Sequence, residues 1–188
     1  MCRMIAFASR EPREIAPFLS PLARLSAQGK LVGGWERRPG GNHPDGWGIA
    51  FRRKGEIQRI RSGKPAATDP ALGKIRESTD RFLGHVRYAS DTTTVNEANA
   101  HPFLVRGIAL AHNGTFKGRI GEEAERRKVS DTLVFLESLA DRWKERTPAG
   151  LREALSALLG DEARVGAYSA ANLLIARGEA IFALRNYR

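Results

Sequence analysis

The chain begins with MCRMIAF (residues 1–7), which places a cysteine beside the N-terminus and follows it with a short apolar run. Cys2 is the only cysteine in the 188 residues, and the run predicts a strand over residues 4–9. If Met1 is removed, as is usual before a small residue, Cys2 carries a thiol and a free α-amine on one carbon. That amine has a reference pKa of about 7.7–8.0, so it can act as base for the thiol. The position of Cys2 alone is also compatible with a small buried hydrophobic residue that has no chemical role.

Composition favours one globular domain spanning residues 1–188. Hydrophobic residues make up 41% and charged residues 28%, which is ordinary for such a domain. A single cysteine excludes an internal disulfide and fits a reducing compartment. We expect a cytoplasmic protein, because the sequence has neither a signal-peptide pattern nor an apolar run of about 18 residues.

The net charge of +10 raises the question of nucleic-acid binding. Basic residues cluster at 37–38, 52–54, 59–64 and 126–128. These clusters are short and scattered, and they lack the interleaved aromatic residues of a base-stacking surface. A solvated basic surface is therefore the favoured interpretation, and no nucleic-acid partner is expected.

Hydrophobic patterning predicts an α+β domain with antiparallel sheets and helices packed outside them. Strands are predicted over residues 4–9, 45–51, 56–60, 82–88, 108–112, 172–176 and 179–184. Helices are predicted over 14–27, 71–77, 130–146 and 147–160, with an exposed loop at 31–44. Ser130 is the predicted N-cap of the third helix, and Thr147 precedes Pro148 at the first position of the fourth. A turn at Lys54-Gly55 is predicted to join the strands 45–51 and 56–60 in a hairpin. Pro17 and Pro21 should break the first helix into short pieces. The glycines on either side of Trp47 indicate close backbone approach within a strand.

Polar residues concentrate where predicted strands end and helices begin. The stretches are GHVRYAS (84–90), NAHPF (99–103), AHNGTF (111–116) and SDT (130–132). With Cys2 they contain the parts for acyl transfer: a nucleophile, a base, oxyanion donors and groups of both signs for a zwitterionic substrate. Each also has a structural explanation, since Asn-Gly favours a turn and an acid at a helix start favours the helix dipole. The four histidines lack the spacing of a zinc site, so no metal is expected.

The motifs together resemble those of the class II glutamine amidotransferases, an N-terminal-nucleophile family. They are Met-Cys at the start, DGWG (45–48), HVRYAS (85–90), NAHP (99–102), HNG (112–114) and SD (130–131). They occur in the family's order, cover nearly the whole chain, and are most similar to those of stand-alone bacterial members. The resemblance implies a four-layer αββα sandwich and hydrolysis of a γ-glutamyl amide without a cofactor. Cys2 would be the nucleophile, and Asn113 with the backbone N–H of Gly114 would form the oxyanion hole.

The resemblance also implies a binding site for the amino-acid head of the substrate. Arg87 would bind the α-carboxylate and Asp131 the α-ammonium, while His101 and Trp47 would shape the site without entering the chemistry. Ser90 stands where many relatives have threonine. The sequence ends at Arg188, soon after the strand predicted at 179–184. Three alternatives remain open: a second sheet that lacks C-terminal strands, a sheet completed by a partner, or a sequence truncated at Arg188.

Three functions remain open at this point. The first is a stand-alone γ-glutamyl amidohydrolase acting on glutamine or a γ-glutamyl metabolite. The second is a glutaminase subunit that delivers ammonia to a separate synthase, and the third is a non-catalytic γ-glutamyl-binding protein. The leaving group and the oligomeric state are not determined by the sequence, and a homo-oligomer is compatible with it.

Overall fold

The computed structural model describes residues 2–28 and 42–186, which form two four-stranded antiparallel sheets. The first sheet has the order β1-β4-β2-β3 and the second has the order β5-β6-β7-β8. The strands of the first sheet are β1 (Arg3–Glu14), β2 (Trp47–Arg53), β3 (Glu56–Ser62) and β4 (Ser78–Val86). Those of the second are β5 (Phe103–Val105), β6 (Ile108–Gly114), β7 (Ala171–Arg177) and β8 (Ala180–Leu184).

Helices cover the outer faces of both sheets, which confirms the αββα sandwich. They are α1 (Ala16–Gln28), α2 (Pro70–Gly73), α3 (Gly118–Arg127), α4 (Asp131–Arg142), α5 (Pro148–Gly160) and α6 (Glu162–Val165), with short 3₁₀ turns at Thr92–Thr94 and Glu97–Asn99. One apolar cluster joins the first sheet to α1 and α2, and a second joins the other sheet to α3–α6. A third cluster lies between the sheets. No helix in the described ranges is long and apolar enough to cross a bilayer.

Side-chain alternation along β4 shows how the layers are built. Phe82 and Val86 belong to the cluster beneath α1, whereas Leu83 belongs to the cluster between the sheets. Successive strand residues point to opposite faces, so His85 and Arg87 follow Leu83 toward the second sheet. The inter-sheet face therefore becomes polar where β4 ends.

Most predicted elements are confirmed, with corrections to the helices. Helix α4, for example, ends at Arg142 rather than at residue 146. The β2–β3 hairpin turns at Lys54 and Gly55, both with positive φ, as the Lys-Gly pair predicted. The predicted break at Pro21 is wrong, because α1 continues through that residue. A proline removes one helical hydrogen bond, and here the burial of Leu19 and Leu22 against the first sheet outweighs that loss.

The other helix predicted before β4 is also shorter than expected. It ends at Gly73 rather than at residue 77, and the chain then runs into β4. Helix α3 was missed, because only Ile120 and Ala124 are buried along an otherwise charged stretch. The loop predicted at 31–44 lies mostly outside the described residues.

Candidate active site

The side chain of Asn113 holds Cys2 from both sides. Cys2 immediately precedes β1, and Asn113 lies near the end of β6 on the inter-sheet face. The backbone N–H of Cys2 donates to Asn113 Oδ1 at 3.2 Å, and Asn113 Nδ2 donates to the Cys2 carbonyl at 3.2 Å. The structure thus brings the predicted nucleophile and its predicted oxyanion residue into direct contact across the two sheets.

The Cys2 thiol lies in a buried, hydrogen-bonded position. The backbone N–H of Tyr88 donates to Cys2 Sγ at 3.4 Å, and the thiol lies 3.7 Å from the Tyr88 carbonyl. Burial raises the pKa of the thiol above its usual value, although the Tyr88 backbone and the Arg87 charge act in the opposite direction. Because the thiolate is the nucleophilic form, this thiol needs a nearby base.

Gly114 ends β6 where the chain passes close to another backbone segment. A Cβ added there would overlap the carbonyl oxygen of Ala170, just before β7. Only glycine fits that approach, which accounts for the Asn-Gly pair at this point. The pair here ends a central strand rather than forming the turn of a hairpin.

Arg87 follows β4 and is buried, with its backbone fixed to the residues before β2. Its N–H donates to the Gly46 carbonyl at 2.9 Å, and its own carbonyl accepts from Asp45 N–H at 3.2 Å. Its guanidinium donates from Nη1 to the Thr94 carbonyl at 2.6 Å and from Nη2 to Thr94 Oγ1 at 2.7 Å. Burial lowers the pKa of Arg87, but arginine remains protonated in proteins, so a fixed positive charge lies in the protein interior.

Asp131 is the first residue of α4, and backbone donors hold its carboxylate. Its Oδ2 accepts from Phe116 N–H at 2.6 Å and its Oδ1 from Thr132 N–H at 2.8 Å. Ser130 is the N-cap, as predicted, and its hydroxyl accepts from Thr132 N–H at 3.3 Å. A carboxylate at a helix N-terminus is stabilised by the helix dipole, so a negative charge is fixed here.

Arg87 and Asp131 line one cavity of about 820 Å³. Its other lining residues include Ser90, Thr94 and Phe116. Cys2 does not line this cavity, but it contacts Tyr88, the residue next to Arg87. The cavity is thus lined by one positive and one negative side chain, and it lies next to the segment that contacts the buried thiol.

His101 and Trp47 lie behind this arrangement, and neither lines the cavity. The Trp47 side chain is 1% exposed, packs in the cluster beneath α1, and donates its indole N–H to Asp69 Oδ2 at 3.0 Å. His101 stacks on His85, with ring centroids 4.5 Å apart. Both side chains are buried, and the prediction that they shape the site stays a prediction.

The sequence predicted no role for two buried polar residues at the site, although both lie in the quoted motifs. Asp45 Oδ2 accepts from Ala89 N–H at 2.7 Å and thereby fixes the segment that carries Arg87 and Tyr88. Asn99 bonds to the segment that precedes Asp131. A polar residue next to a glycine or in a connection gives little indication of such long-range contacts.

Comparison with known proteins places this chain in a family. A family model described as glutamine amidotransferases class-II matches residues 25–188. An uncharacterized protein of Methanocaldococcus jannaschii is 32% identical over 168 residues, covering 78% of this chain and 44% of that protein. A glutamine–fructose-6-phosphate aminotransferase (isomerizing) of Thermus thermophilus is 34% identical over 134 residues, covering 66% of this chain and 22% of that protein. The chain therefore spans less than half the length of these curated relatives.

Solved structures of other proteins share the fold of this chain. A glutamine aminotransferase class-II domain protein from Silicibacter pomeroyi has a TM-score of 0.56 and 22% identity, covering 76% of this chain and 69% of that one. The glutamine phosphoribosylpyrophosphate amidotransferase of B. subtilis has a TM-score of 0.59 and 20% identity, covering 98% of this chain and 37% of that one. Family match, sequence relatives and fold agree, and the chain belongs to the class II glutamine amidotransferases.

Proposed function

We propose that this chain hydrolyses a γ-glutamyl amide, glutamine or a γ-glutamyl metabolite, through a thioester on Cys2. The observation that carries the proposal is the Asn113 amide, which holds Cys2 at 3.2 Å on both sides beside a cavity bearing Arg87 and Asp131. Family membership supports the reaction class. A free thiol requires a reducing compartment, so the cytoplasm is the proposed location.

The first chemical step needs the α-amine that removal of Met1 would expose. That amine takes the proton of the Cys2 thiol, and the thiolate attacks the side-chain amide carbon. Negative charge develops on the amide oxygen, where Asn113 Nδ2 and the Gly114 N–H are the proposed donors. The amine then gives its proton to the leaving nitrogen, which departs as ammonia or an amine.

The second step regenerates the enzyme. A water molecule loses a proton to the α-amine and attacks the thioester carbon. The carbon–sulfur bond breaks, glutamate leaves, and the thiol recovers a proton. No redox change occurs in either step, and neither requires a cofactor.

Specificity for an amino-acid head would come from the two fixed charges of the cavity. The Arg87 guanidinium suits a carboxylate, and the Asp131 carboxylate suits an ammonium group. An amide without this head would leave the buried Arg87 charge and the partly buried Asp131 charge without an ionic partner from the substrate, so such amides would be rejected. The 820 Å³ cavity has room for both groups together.

The test is the intact mass of the protein after incubation with a glutamine-analogue diazoketone, compared with Cys2→Ala. The expected result is one adduct on the chain that lacks Met1 and none on the variant. A second preparation, in which a site-specific protease exposes Cys2, removes any dependence on methionine processing in the host. If that preparation stays unlabelled at saturating reagent, the proposed reaction is wrong and binding without turnover is favoured.

A second candidate is a glutaminase subunit that passes ammonia to a synthase. It is favoured by the similarity to the Thermus relative, whose name includes an aminotransferase reaction. A candidate synthase should then raise the rate of ammonia release from glutamine. An unchanged rate with every candidate would favour the stand-alone hydrolase.

A further inference from the structure

Asn99 is a buried side chain that joins two distant segments near the cavity. It ends the 3₁₀ turn Glu97–Asn99 and is 2% exposed. Its Oδ1 accepts from the backbone N–H of Ser130 at 2.7 Å, and its Nδ2 donates to the Lys128 carbonyl at 3.5 Å. One side-chain amide thus binds both ends of the segment 128–130 that leads into α4.

These contacts fix the position at which α4 begins. Lys128 ends α3 in a left-handed conformation (φ 55°), and Ser130 caps α4 with an extended backbone. The chain therefore changes direction between the two residues that Asn99 binds. Asp131 follows at once, so a shift of this segment would move its carboxylate.

The connection between β4 and β5, which carries Asn99, also contacts Arg87, the positively charged residue of the cavity lining. Thr94 lies five residues earlier in the same connection, and its carbonyl and hydroxyl accept the two guanidinium bonds of Arg87. Residues 94–99 thus contact Arg87 at one end and the start of α4 at the other. The connection therefore links the two charged residues that line the cavity.

We propose that Asn99 is a positioning residue, which holds Asp131 at the distance from Arg87 that an amino-acid head requires. This inference rests on the proposed function, because it assigns Asn99 to recognition of that head. Asn99 does not touch the reacting atoms. Its loss should weaken binding of a head-bearing ligand while leaving the reactivity of the Cys2 thiol unchanged.

Two reagents separate these effects in the full chain with Cys2 exposed. The glutamine-analogue diazoketone needs the head site, whereas iodoacetamide alkylates the thiol without a head. In Asn99→Ala we expect the half-saturating concentration of the diazoketone to rise about tenfold, with the alkylation rate within about twofold. Asn99→Ser is a second variant, and it should behave like Asn99→Ala, because the serine hydroxyl is too short to replace both contacts.

Thr79→Ala is the matched control. Thr79 is also 2% exposed and joins two distant segments, because its Oγ1 accepts from Arg52 N–H at 3.1 Å and donates to the Arg52 carbonyl at 2.8 Å. It lies at the start of β4, whereas Arg87 follows the end of that strand, so its loss should leave both reactions at the wild-type level. The inference is overturned if either folded Asn99 variant keeps the wild-type half-saturating concentration, or if Thr79→Ala raises it equally.

The two proposals fail in distinguishable ways. A wild-type chain that iodoacetamide alkylates but the diazoketone does not label would overturn the proposed reaction, and the role of Asn99 with it. A wild-type chain labelled by both reagents, with Asn99 variants that bind as tightly, would overturn the role of Asn99 alone. Both readings come from the same mass measurements.

Discussion

Asn113 and Cys2 form a two-way pair, because each residue both donates to and accepts from the other across the gap between the sheets. Asn113 Oδ1 accepts from the nitrogen that removal of Met1 would convert to the α-amine, and Nδ2 donates to the carbonyl of the proposed nucleophile. The pair links the end of β6 to the start of β1, elements more than a hundred residues apart. In the proposed mechanism, a single amide would therefore position the base and offer a donor to the developing oxyanion.

Asn113→Asp tests the donor in this pair. The substitution keeps the size and the acceptor but replaces the donor with a negative charge, which would also oppose thiolate formation. We expect kcat for glutamine to fall by about 10²–10³-fold, the range found when one oxyanion donor is lost. Glutamate release gives the rate, and an unchanged melting temperature shows that folding is intact. A kcat close to that of the wild type would exclude Asn113 as an oxyanion donor.

The buried histidines should make stability depend on pH. Burial, aided by the Arg87 charge, lowers the pKa of His85 to about 3, and it also lowers that of the neighbouring His101. The unfolded chain takes up these protons near pH 6.5, so it binds more protons than the folded chain between about 3 and 6.5. The free energy of unfolding should therefore fall as pH drops below 6.5, by at most about 1.4 kcal/mol per pH unit for each histidine.

His101→Leu provides the comparison for this pH dependence. Both ring nitrogens of His101 are buried and have no hydrogen-bond partner within the part of the chain that the structure describes. The apolar side chain should reduce the slope of the free energy of unfolding against pH, measured by urea denaturation between pH 4.5 and 7.5. Equal slopes for wild type and variant would contradict a neutral buried His101.

Gly48→Ala tests the close approach between β2 and the connection before β5. A Cβ at Gly48 would overlap the carbonyl oxygen of His101, so that backbone must move. We expect a loss of about 1–3 kcal/mol in the free energy of unfolding, the usual cost of overpacking a core. Gly73→Ala is the control, because a Cβ at the end of α2 meets nothing within 4 Å. Equal stability of the two variants would contradict the predicted overlap.

The sequence predicted the features that depend on local chemistry. The Lys54-Gly55 turn and the caps at Ser130 and Thr147 were predicted correctly because they need only neighbouring residues. The continuation of α1 through Pro21 could not be predicted, since packing against the first sheet decides it. The resemblance to a family, rather than periodicity, indicated the four layers.

The contacts that support the site could not be predicted from the sequence, because their partners are far apart along the chain. Asp45 meets Ala89 across 44 positions, and Asn99 meets Ser130 across 31. Nothing local distinguishes a carboxylate or amide that will bind a distant backbone N–H from one that faces solvent. The charged pair of Arg87 and Asp131 was predicted to bind one substrate, and both residues line one cavity.

Asp45→Asn tests the electrostatics around the nucleophile. Asp45 is buried, and its negative charge adds to the effect of burial, which is the main cause of the raised pKa of the Cys2 thiol. Asparagine keeps an oxygen that can accept from Ala89 N–H but removes that charge. The thiol pKa should therefore fall, and the midpoint of iodoacetamide alkylation against pH should move to lower pH.

The matched control for this shift is Asp69→Asn. Asp69 is also buried, but its carboxylate binds the Trp47 indole and the start of α2, beneath the opposite face of the first sheet. Its charge is not among those that shift the Cys2 thiol, so the alkylation midpoint should stay at the wild-type value. Asp45 also offsets the Arg87 charge, so Asp45→Asn should leave a stronger positive field beside the thiolate. This stronger field also lowers the thiol pKa. A midpoint that moves to higher pH in Asp45→Asn would show that the carboxylate acts on Cys2 through backbone position rather than through charge.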